Sequence, residues 1–188
     1  MKTITTALVA GCMTLSAGMA LAQDNPTVGG APMMADMNIV ENAAKSADHT
    51  TLVAAVQAAG LAETLSGPGP FTVFAPTNAA FEALPAGTVD TLLKPESKET
   101  LTTILTCHVV GAEVMSDALA KMIADDGGSH MVETLGGCML NAQAADGKVT
   151  LTDENGTVAT VTIADVDQSN GVIHVIDSVL LPSAASQQ

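Results

Sequence analysis

Residues 71–81 read FTVFAPTNAAF, and this stretch decides how the rest of the sequence is interpreted. It follows a GPGP run at 67–70, and its first five residues mix phenylalanine with small and β-branched residues, a composition typical of a short strand. Pro76 and Thr77 then end the strand and start a helix, because proline lacks a ladder donor and threonine can accept a hydrogen bond from the first helical turn. The stretch therefore predicts a buried strand followed directly by a helix.

The same stretch holds every aromatic side chain of the sequence, since neither tryptophan nor tyrosine occurs. The three rings are Phe71, Phe74 and Phe81. The rest of the core must be aliphatic, and we expect the helix to return Phe81 to the core that Phe71 and Phe74 enter from the strand. Loss of one buried ring typically costs about 3–5 kcal/mol, so these residues are predicted to determine folding rather than to bind a ligand.

Helical periodicity dominates as far as about residue 125. Asp48 is predicted to cap a helix that presents Leu52, Val53 and Val56 on one face and ends at Gly60. The helix that holds Phe81 is predicted to end at Pro85 and Gly87, and Ser97 to cap a later one. The apolar faces of the last two helical segments are Leu101, Ile104 and Leu105, then Leu119, Met122 and Ile123.

The periodicity changes to that of strands from about residue 129. The predicted strands are 131–134, 138–143, 148–152, 157–163 and 172–176. Residues 153–156, DENG, predict a tight hairpin with a type I′ turn, because Asn-Gly tolerates positive φ. Residues 165–171 are interpreted as a polar turn rather than a calcium loop, since their glycine and acid positions do not fit one. Helices first and strands last predict an α+β fold with a mainly antiparallel sheet.

The N-terminus predicts export. Lys2 precedes an apolar run that ends in an A-x-A site, so residues 1–22 resemble a signal peptide cleaved after Ala22. Residues 9–12 offer an alternative, a lipobox with Cys12 as the lipidated residue. No later stretch approaches the roughly 20 apolar residues that cross a bilayer. We expect a periplasmic or extracellular protein without a transmembrane segment in the mature chain.

Charge excludes one class of partner. The sequence has 20 acids and six cations, all of them lysine, and a formal net charge of −14. Nucleic-acid binding needs clustered Lys and Arg to contact phosphates, so we expect no nucleic-acid partner. Residues 23–37 are interpreted as a flexible lead-in and residues 183–188 as a disordered tail.

Catalytic and metal motifs are absent. After export Cys107 and Cys138 are an even pair in an oxidising compartment, which favours a disulfide over two separately buried thiols. Cys107 and His108 are adjacent, but neighbouring side chains do not face each other on a helix or a strand, so a Cys–His dyad is disfavoured. The four histidines show no ligand spacing. We expect no enzyme activity, no cofactor and no metal ion.

Two blocks resemble a known family. FTVFAPTNAAF at 71–81 closely resembles the first signature of the fasciclin domain family, and NGVIHVIDSVLLP at 170–182 resembles the second. Between them, ILTCHVV at 104–110 is similar to the family's tyrosine-histidine segment, with Cys107 at the tyrosine position. The resemblance spans residues 38–182. It implies a compact β-wedge or sandwich flanked by several short helices.

The resemblance also implies a function: adhesion to a protein, a cell surface or a matrix component, without catalysis, by a monomer or weak oligomer. An aliphatic cleft that carries a small apolar ligand is the alternative. The expected structural residues of the signatures are Phe71, Phe74, Pro76, Thr77, Phe81, His108, Gly171, His174 and Asp177. The family's partner-binding positions correspond to Asp165, Val166 and His108.

Overall fold

The structure is a computed structural model that describes residues 25–183, apart from residues 86 and 146. The predicted signal peptide, the alternative lipid site Cys12 and all but the first residue of the predicted tail lie outside the described residues. The helices are α1 (Ile39–Lys45), α2 (Thr50–Ala59), α3 (Ala62–Ser66), α4 (Asn78–Glu82), α5 (Thr88–Leu92), α6 (Lys98–Thr106) and α7 (Ser116–Asp125). The strands are β1 (Thr27–Val28), β2 (Ala31–Pro32), β3 (Phe71–Pro76), β4 (Val109–Val110), β5 (Ser129–Glu133), β6 (Met139–Ala145), β7 (Lys148–Thr152), β8 (Val158–Gln168) and β9 (Gly171–Ile176).

One seven-stranded sheet organises the fold, in the order β4-β3-β9-β8-β7-β6-β5. Its pairings are antiparallel except that β3 runs parallel to β9. These two strands are buried on both faces and are called the central strands. The mixed helices and mostly antiparallel sheet confirm the predicted α+β class. The parallel pair joins residues about 100 positions apart, from Phe71 opposite Gly171 to Pro76 opposite Ile176.

Strand β8 bends the sheet into two halves. Its first residues, Val158 to Thr160, pair with β7, and its later part, Val161 to Gln168, pairs with β9. Two register shifts between Val161 and Val166 lie in this later part, and Asp165 has a φ of 54°. Such bulges increase the twist and bend of a strand. The predicted polar turn at 165–171 is therefore wrong in its extent, since the strand continues to Gln168 and only Ser169 and Asn170 form the turn.

Two apolar clusters fill the molecule on opposite faces of the central strands. The first lies between the helices α1, α2 and α6 and the face of β3 and β9 that presents Val73, Ala75, Ile173 and Val175. The second lies between the two halves of the sheet and is closed by α7. Its main members are Phe74, Leu119, Ile123, Leu140, Leu151, Ile176 and Leu180.

The three phenylalanines do not meet in one place, which corrects the prediction. Phe74 is 1% exposed and belongs to the second cluster, whereas Phe81 and the half-buried Phe71 belong to the first. The cause is that successive strand residues point to opposite faces, so positions 71 and 74 cannot share one. Both faces of β3 are covered, and one ring stays on each side of it.

The predicted flexible lead-in is folded from Asn25 onward. β1 and β2 form a two-stranded hairpin, and Val28 and Met33 are buried in the first cluster. Asn25 donates from Nδ2 to the Asp167 carbonyl at 2.8 Å, and Gly29 accepts from the Ala47 backbone at 3.3 Å. The Pro, Gly and polar composition indicated a coil, but tertiary contacts hold this segment against β8 and against Ala47, just after α1.

Helix ends follow the sequence in some places and depart from it in others. Thr77 caps α4 by accepting from the Ala80 N–H, and Gly60 ends α2 with a φ of 78°, both as predicted. Asp48 does not cap α2, because a 3₁₀ turn at Ala47–His49 precedes that helix. Ser97 stands at the start of α6, but its side chain makes no capping hydrogen bond.

The hairpin at residues 153–156 forms with a different turn from the one predicted. The Gly156 N–H donates to the Asp153 carbonyl at 3.0 Å, and Asp153 and Thr157 pair at 2.9 Å. Only Gly156 has positive φ, at 85°. The three-residue loop is therefore a type I turn followed by a left-handed glycine. The Asp153 carboxylate, which accepts from the N–H groups of Asn155 and Thr157, fixes this turn.

Cys107 and Cys138 form a disulfide, as the sequence favoured, with their Cα atoms 5.3 Å apart. Both cysteines are buried. The bond joins the end of α6 to the start of β6 across a sequence separation of 31. Closing a loop of that length restricts the unfolded chain and contributes roughly 3–4 kcal/mol. Among the described residues, no helix is long and apolar enough to span a membrane.

The two faces of β3 give the first prediction. We expect Phe74→Ala to lower the free energy of unfolding by about 3–5 kcal/mol, because it leaves a cavity in the closed second cluster. Phe71→Ala, the matched control on the same strand, should cost less than about 2 kcal/mol because that residue is already partly exposed. Urea unfolding followed by far-UV circular dichroism measures both. Equal losses would contradict the assignment of the two rings to different environments.

Candidate functional site

The central strand pair is built around Gly171 and Asn170. Gly171 has a φ of 148°, and a Cβ atom there would overlap the Phe71 carbonyl oxygen, so only glycine allows β9 to start beside β3. The Asn170 amide group donates to the carbonyls of Leu65 and Gly67 at 2.8 and 2.9 Å. Its oxygen accepts from the Ile39 N–H at 3.1 Å. The first two residues of the second signature therefore join the start of β9 to β3, to α1 and to the end of α3.

His108 is a buried structural anchor, 2% exposed. Its Nδ1–H donates to the Ile104 carbonyl at 2.8 Å, and its Nε2 accepts from the Leu180 N–H at 2.9 Å. Its own carbonyl accepts from the Phe74 N–H at 2.8 Å. One residue thus joins α6, β3 and the segment after β9. Burial lowers the pKa of His108 to about 4, so the imidazole is neutral in the folded protein.

His174 centres a second buried network. Its Nε2–H donates to the Val114 carbonyl at 2.8 Å, and its Nδ1 accepts from the Asp165 N–H at 3.2 Å. The Asp165 carboxylate in turn accepts from the Ser116 N–H at 2.7 Å and from the Ser116 hydroxyl, at the first turn of α7. The Phe74 ring stacks on the His174 ring with centroids 5.7 Å apart. Burial also lowers the pKa of His174.

The other signature residues lie at the ends of the central strands. Pro76 ends β3 opposite Ile176, and the following Thr77 N–H donates to the Ile176 carbonyl at 3.2 Å. Asp177 is exposed, but its Oδ1 accepts from the Thr160 N–H at 2.8 Å and holds β9 against β8. The structure places these residues, like the two histidines, in bonds that define the fold.

The three residues expected to contact a partner are not equally accessible. Val166 is 0% exposed and His108 is 2% exposed, so a partner cannot reach either side chain in this conformation. Asp165 is half-buried, and its carboxylate is bonded to Ser116. The bulge with positive φ at Asp165 turns its side chain toward α7.

Sequence reasoning missed the polar residues that brace this region. Asn170, described above, and Asp153 are the main examples. Asp153 is 6% exposed and, besides fixing its own turn, accepts from the Leu181 N–H at 2.9 Å. Asn42 is fully buried and donates from Nδ2 to the Met34 carbonyl at 2.7 Å. The Asp-x-Asn-Gly spacing at 153–156 predicts the turn at Asp153, but no local sequence pattern predicts the long-range hydrogen bonds.

Reactive groups are held in structural bonds. Cys107 carries no free thiol in the disulfide, so the Cys107–His108 pair has no nucleophile, and a thiolate mechanism at this residue fails. Between residues 25 and 183, with the two gaps noted, no group of three His, Cys, Asp or Glu side chains is placed to hold a metal ion.

An apolar pocket opens between α1, α2 and the start of β3. Its cavity volume is about 30 Å³. Its lining is Ile39, Val40, Ala43, Leu52, Val53, Val56, Leu65, Val73, Leu105, His108 and Val109. Both His108 nitrogens are already bonded, so the pocket offers an occupant only apolar contacts.

The family model for the fasciclin domain matches residues 47–182. The chain belongs to the fasciclin domain family. Protein sll1483 of Synechocystis sp. is 53% identical over 146 residues, which cover 78% of this chain and 74% of the relative. The family consists of adhesion and protein-binding domains that are generally not catalytic.

Animal relatives and a solved structure extend the comparison. Transforming growth factor-beta-induced protein ig-h3 of Sus scrofa is 39% identical over 137 residues, 73% of this chain but 18% of the relative. Human periostin is 31% identical over 140 residues, 74% of this chain and 15% of periostin. A FAS1 domain pair from the insect cell adhesion molecule fasciclin I has a TM-score of 0.69 at 18% identity, covering 81% of this chain and 53% of that one. This likeness shows the same fold.

The buried histidines of this fasciclin domain give the second prediction. Burial lowers the pKa values of His49, His108 and His174, so below about pH 6.5 the unfolded chain binds protons that the folded chain does not. Stability is therefore complete above pH 6.5 and falls as the pH drops toward 4. His108 alone accounts for roughly 3 kcal/mol of that loss.

Urea unfolding between pH 7.5 and 4 measures this dependence. His108→Gln should be less stable than the wild type at pH 7, because the hydrogen bonds to Ile104 and Leu180 change. Its free energy of unfolding should fall less steeply as the pH drops, because its unfolding takes up about one proton fewer. A wild-type stability that stays constant over this range, or an unchanged slope in the variant, would contradict the neutral buried imidazole.

Proposed function

We propose that this chain is an exported, non-catalytic adhesion or protein-binding module that acts in the periplasm or outside the cell. The proposal rests on the observation that the reactive side chains of its signatures are all engaged in structural bonds. Cys107 is in a disulfide, and His108 and His174 are buried with both ring nitrogens bonded. Because these side chains are not free to react, a fasciclin-family fold of this kind acts by binding a partner at its exposed surface. The signal peptide predicted for residues 1–22 supports the location.

The partner is a protein or a surface or matrix component, and the formal charge of −14 favours a basic one. Charge of one sign also opposes self-association, which supports a monomer or weak oligomer. The FAS1 domain pair of similar fold comes from a cell adhesion molecule, which supports an adhesion function.

Attachment of the native host tests the proposal. A strain that lacks this chain should attach less to its surface or matrix than the parent, and the wild-type gene should restore attachment. Purified protein immobilised on a support should retain an envelope or matrix component in a saturable manner, and the same protein reduced and unfolded should not. Unchanged attachment together with no saturable retention would overturn the proposal.

A second candidate function is transport of a small apolar ligand, and the pocket beside α1 and α2 favours it. Its lining is apolar apart from His108, as an apolar occupant requires, and its cavity of about 30 Å³ would have to widen to admit one. Native mass spectrometry of mildly purified protein should then show a bound apolar molecule. Val53→Glu, in the pocket lining, should abolish it, and Ala54→Glu, on the exposed side of the same helix, should not. The bare chain in all three samples would rule out this function.

A further inference from the structure

Strand β5 ends the seven-stranded sheet with one side unpaired. It pairs with β6 alone, whereas the strand at the other end, β4, has only two residues, both buried. An edge strand presents a row of backbone N–H and C=O groups that can pair with another chain. The five residues of β5, Ser129–Glu133, therefore form the longer open edge of the described sheet.

The hairpin that follows β5 fixes which groups face outward. The Thr134 N–H donates to the Cys138 carbonyl at 3.1 Å, and Val132 lies opposite Leu140. Hydrogen-bonded and non-bonded pairs alternate along an antiparallel ladder, so Val132 and His130 bond to β6. The N–H and C=O groups of Met131 and Glu133 point away from β6, toward the open edge.

The open stretch has a defined length and, apart from the charge of Glu133, no protection. At its far end the Leu135 N–H donates to the Val109 carbonyl at 2.8 Å, which closes the edge beyond Glu133. Protected edges usually carry proline, lysine or a bulge, and β5 has none of them. The Met131 side chain is 51% exposed, and the Glu133 side chain is also exposed on the same face. A short extended segment would fit this stretch.

The negative charge near β5 favours a basic segment as the one that pairs with it. Residues 121–133 carry three acids, of which Asp125 pairs with Lys121 and Asp126 with His130, so Glu133 is the acid that the edge presents. The whole chain has a formal charge of −14. A second copy would bring the same acids to the interface, which opposes pairing of β5 with itself. A segment with lysine or arginine opposite Glu133 would gain the complementary interaction.

We propose that β5 is a docking edge at which an extended, basic segment of a partner protein adds as an eighth strand. The inference rests on the proposed protein-binding function and names its surface. The outward N–H and C=O groups of Met131 and Glu133 supply the backbone bonds. The side chains of these two residues set the pattern of the partner, an apolar residue opposite Met131 and a basic residue two positions away, because alternate residues share a face.

Synthetic peptides test the edge on the intact protein. The probe is the blocked peptide KTVTKTVTK, which alternates in the required way. KTPTKTPTK keeps the charge but cannot form a strand, and ETVTETVTE reverses the charge. Titration followed by amide NMR shifts should show saturable binding of the first peptide only, with the largest shifts at residues 129–133. Equal binding of the proline peptide, or shifts spread over other acidic regions, would overturn the proposal.

Variants separate the backbone from the charge. Met131→Pro removes an outward N–H that β6 does not use, so it should keep the fold and weaken the peptide at least tenfold. Glu133→Lys should weaken it about three- to tenfold, whereas Glu96→Lys, the same charge change at an exposed residue outside the sheet, should stay within twofold. The Glu133→Lys result decides the question if Met131→Pro misfolds, and affinity unchanged by Glu133→Lys overturns the assignment.

Two further results distinguish the occupant and the parent function. A concentration-dependent dimer that Glu133→Lys strengthens or weakens would mean that a second copy occupies the edge, which overturns the basic partner. Host attachment that depends on the wild-type chain and is fully restored by Met131→Pro and by Glu133→Lys would overturn the docking edge and leave the adhesion function standing.

Discussion

The parallel pairing of β3 with β9 is the constraint on which the rest of the fasciclin domain depends. It brings residues 71–76 against 171–176 and buries every side chain of β9. Because both faces of this pair are covered, the helices must assemble on one side and the rest of the sheet on the other. Gly171 is required at the point where the strands start, since any side chain there would overlap the Phe71 carbonyl. The two signature blocks are the two halves of one contact.

Polar groups secure this pair from outside the strands. His108 and His174 each use one ring nitrogen as donor and the other as acceptor, which requires the neutral imidazole. A buried polar group with both bonds made stabilises one arrangement of its neighbours, and breaking one bond leaves a desolvated atom at a cost of about 1–3 kcal/mol. The histidines of the signatures therefore act on the fold, and through it on the position of β8 and α7.

The buried centre leaves only the periphery accessible to a partner. Val166 and His108 are enclosed, and the Asp165 carboxylate is occupied at the first turn of α7. The exposed large side chains include Met131, Met139 and Val158, all on β5, β6 and β8. A surface of this kind, on a domain with a formal charge of −14, can change in sequence without disturbing the core.

The sequence alone determined the elements whose signals are local. Proline, threonine and glycine at fixed positions set the end of β3, the start of α4 and the end of α2, because each of these signals acts within one turn of the chain. The even number of cysteines left after export indicated the disulfide. Only the tertiary structure decided the parallel partner of β3, the separation of Phe74 from Phe71 and Phe81, the folding of residues 25–37 and the bend of β8 at Asp165. Those features depend on which surfaces are covered by residues up to about 100 positions away, and burial of that kind leaves no signal in a short window of sequence.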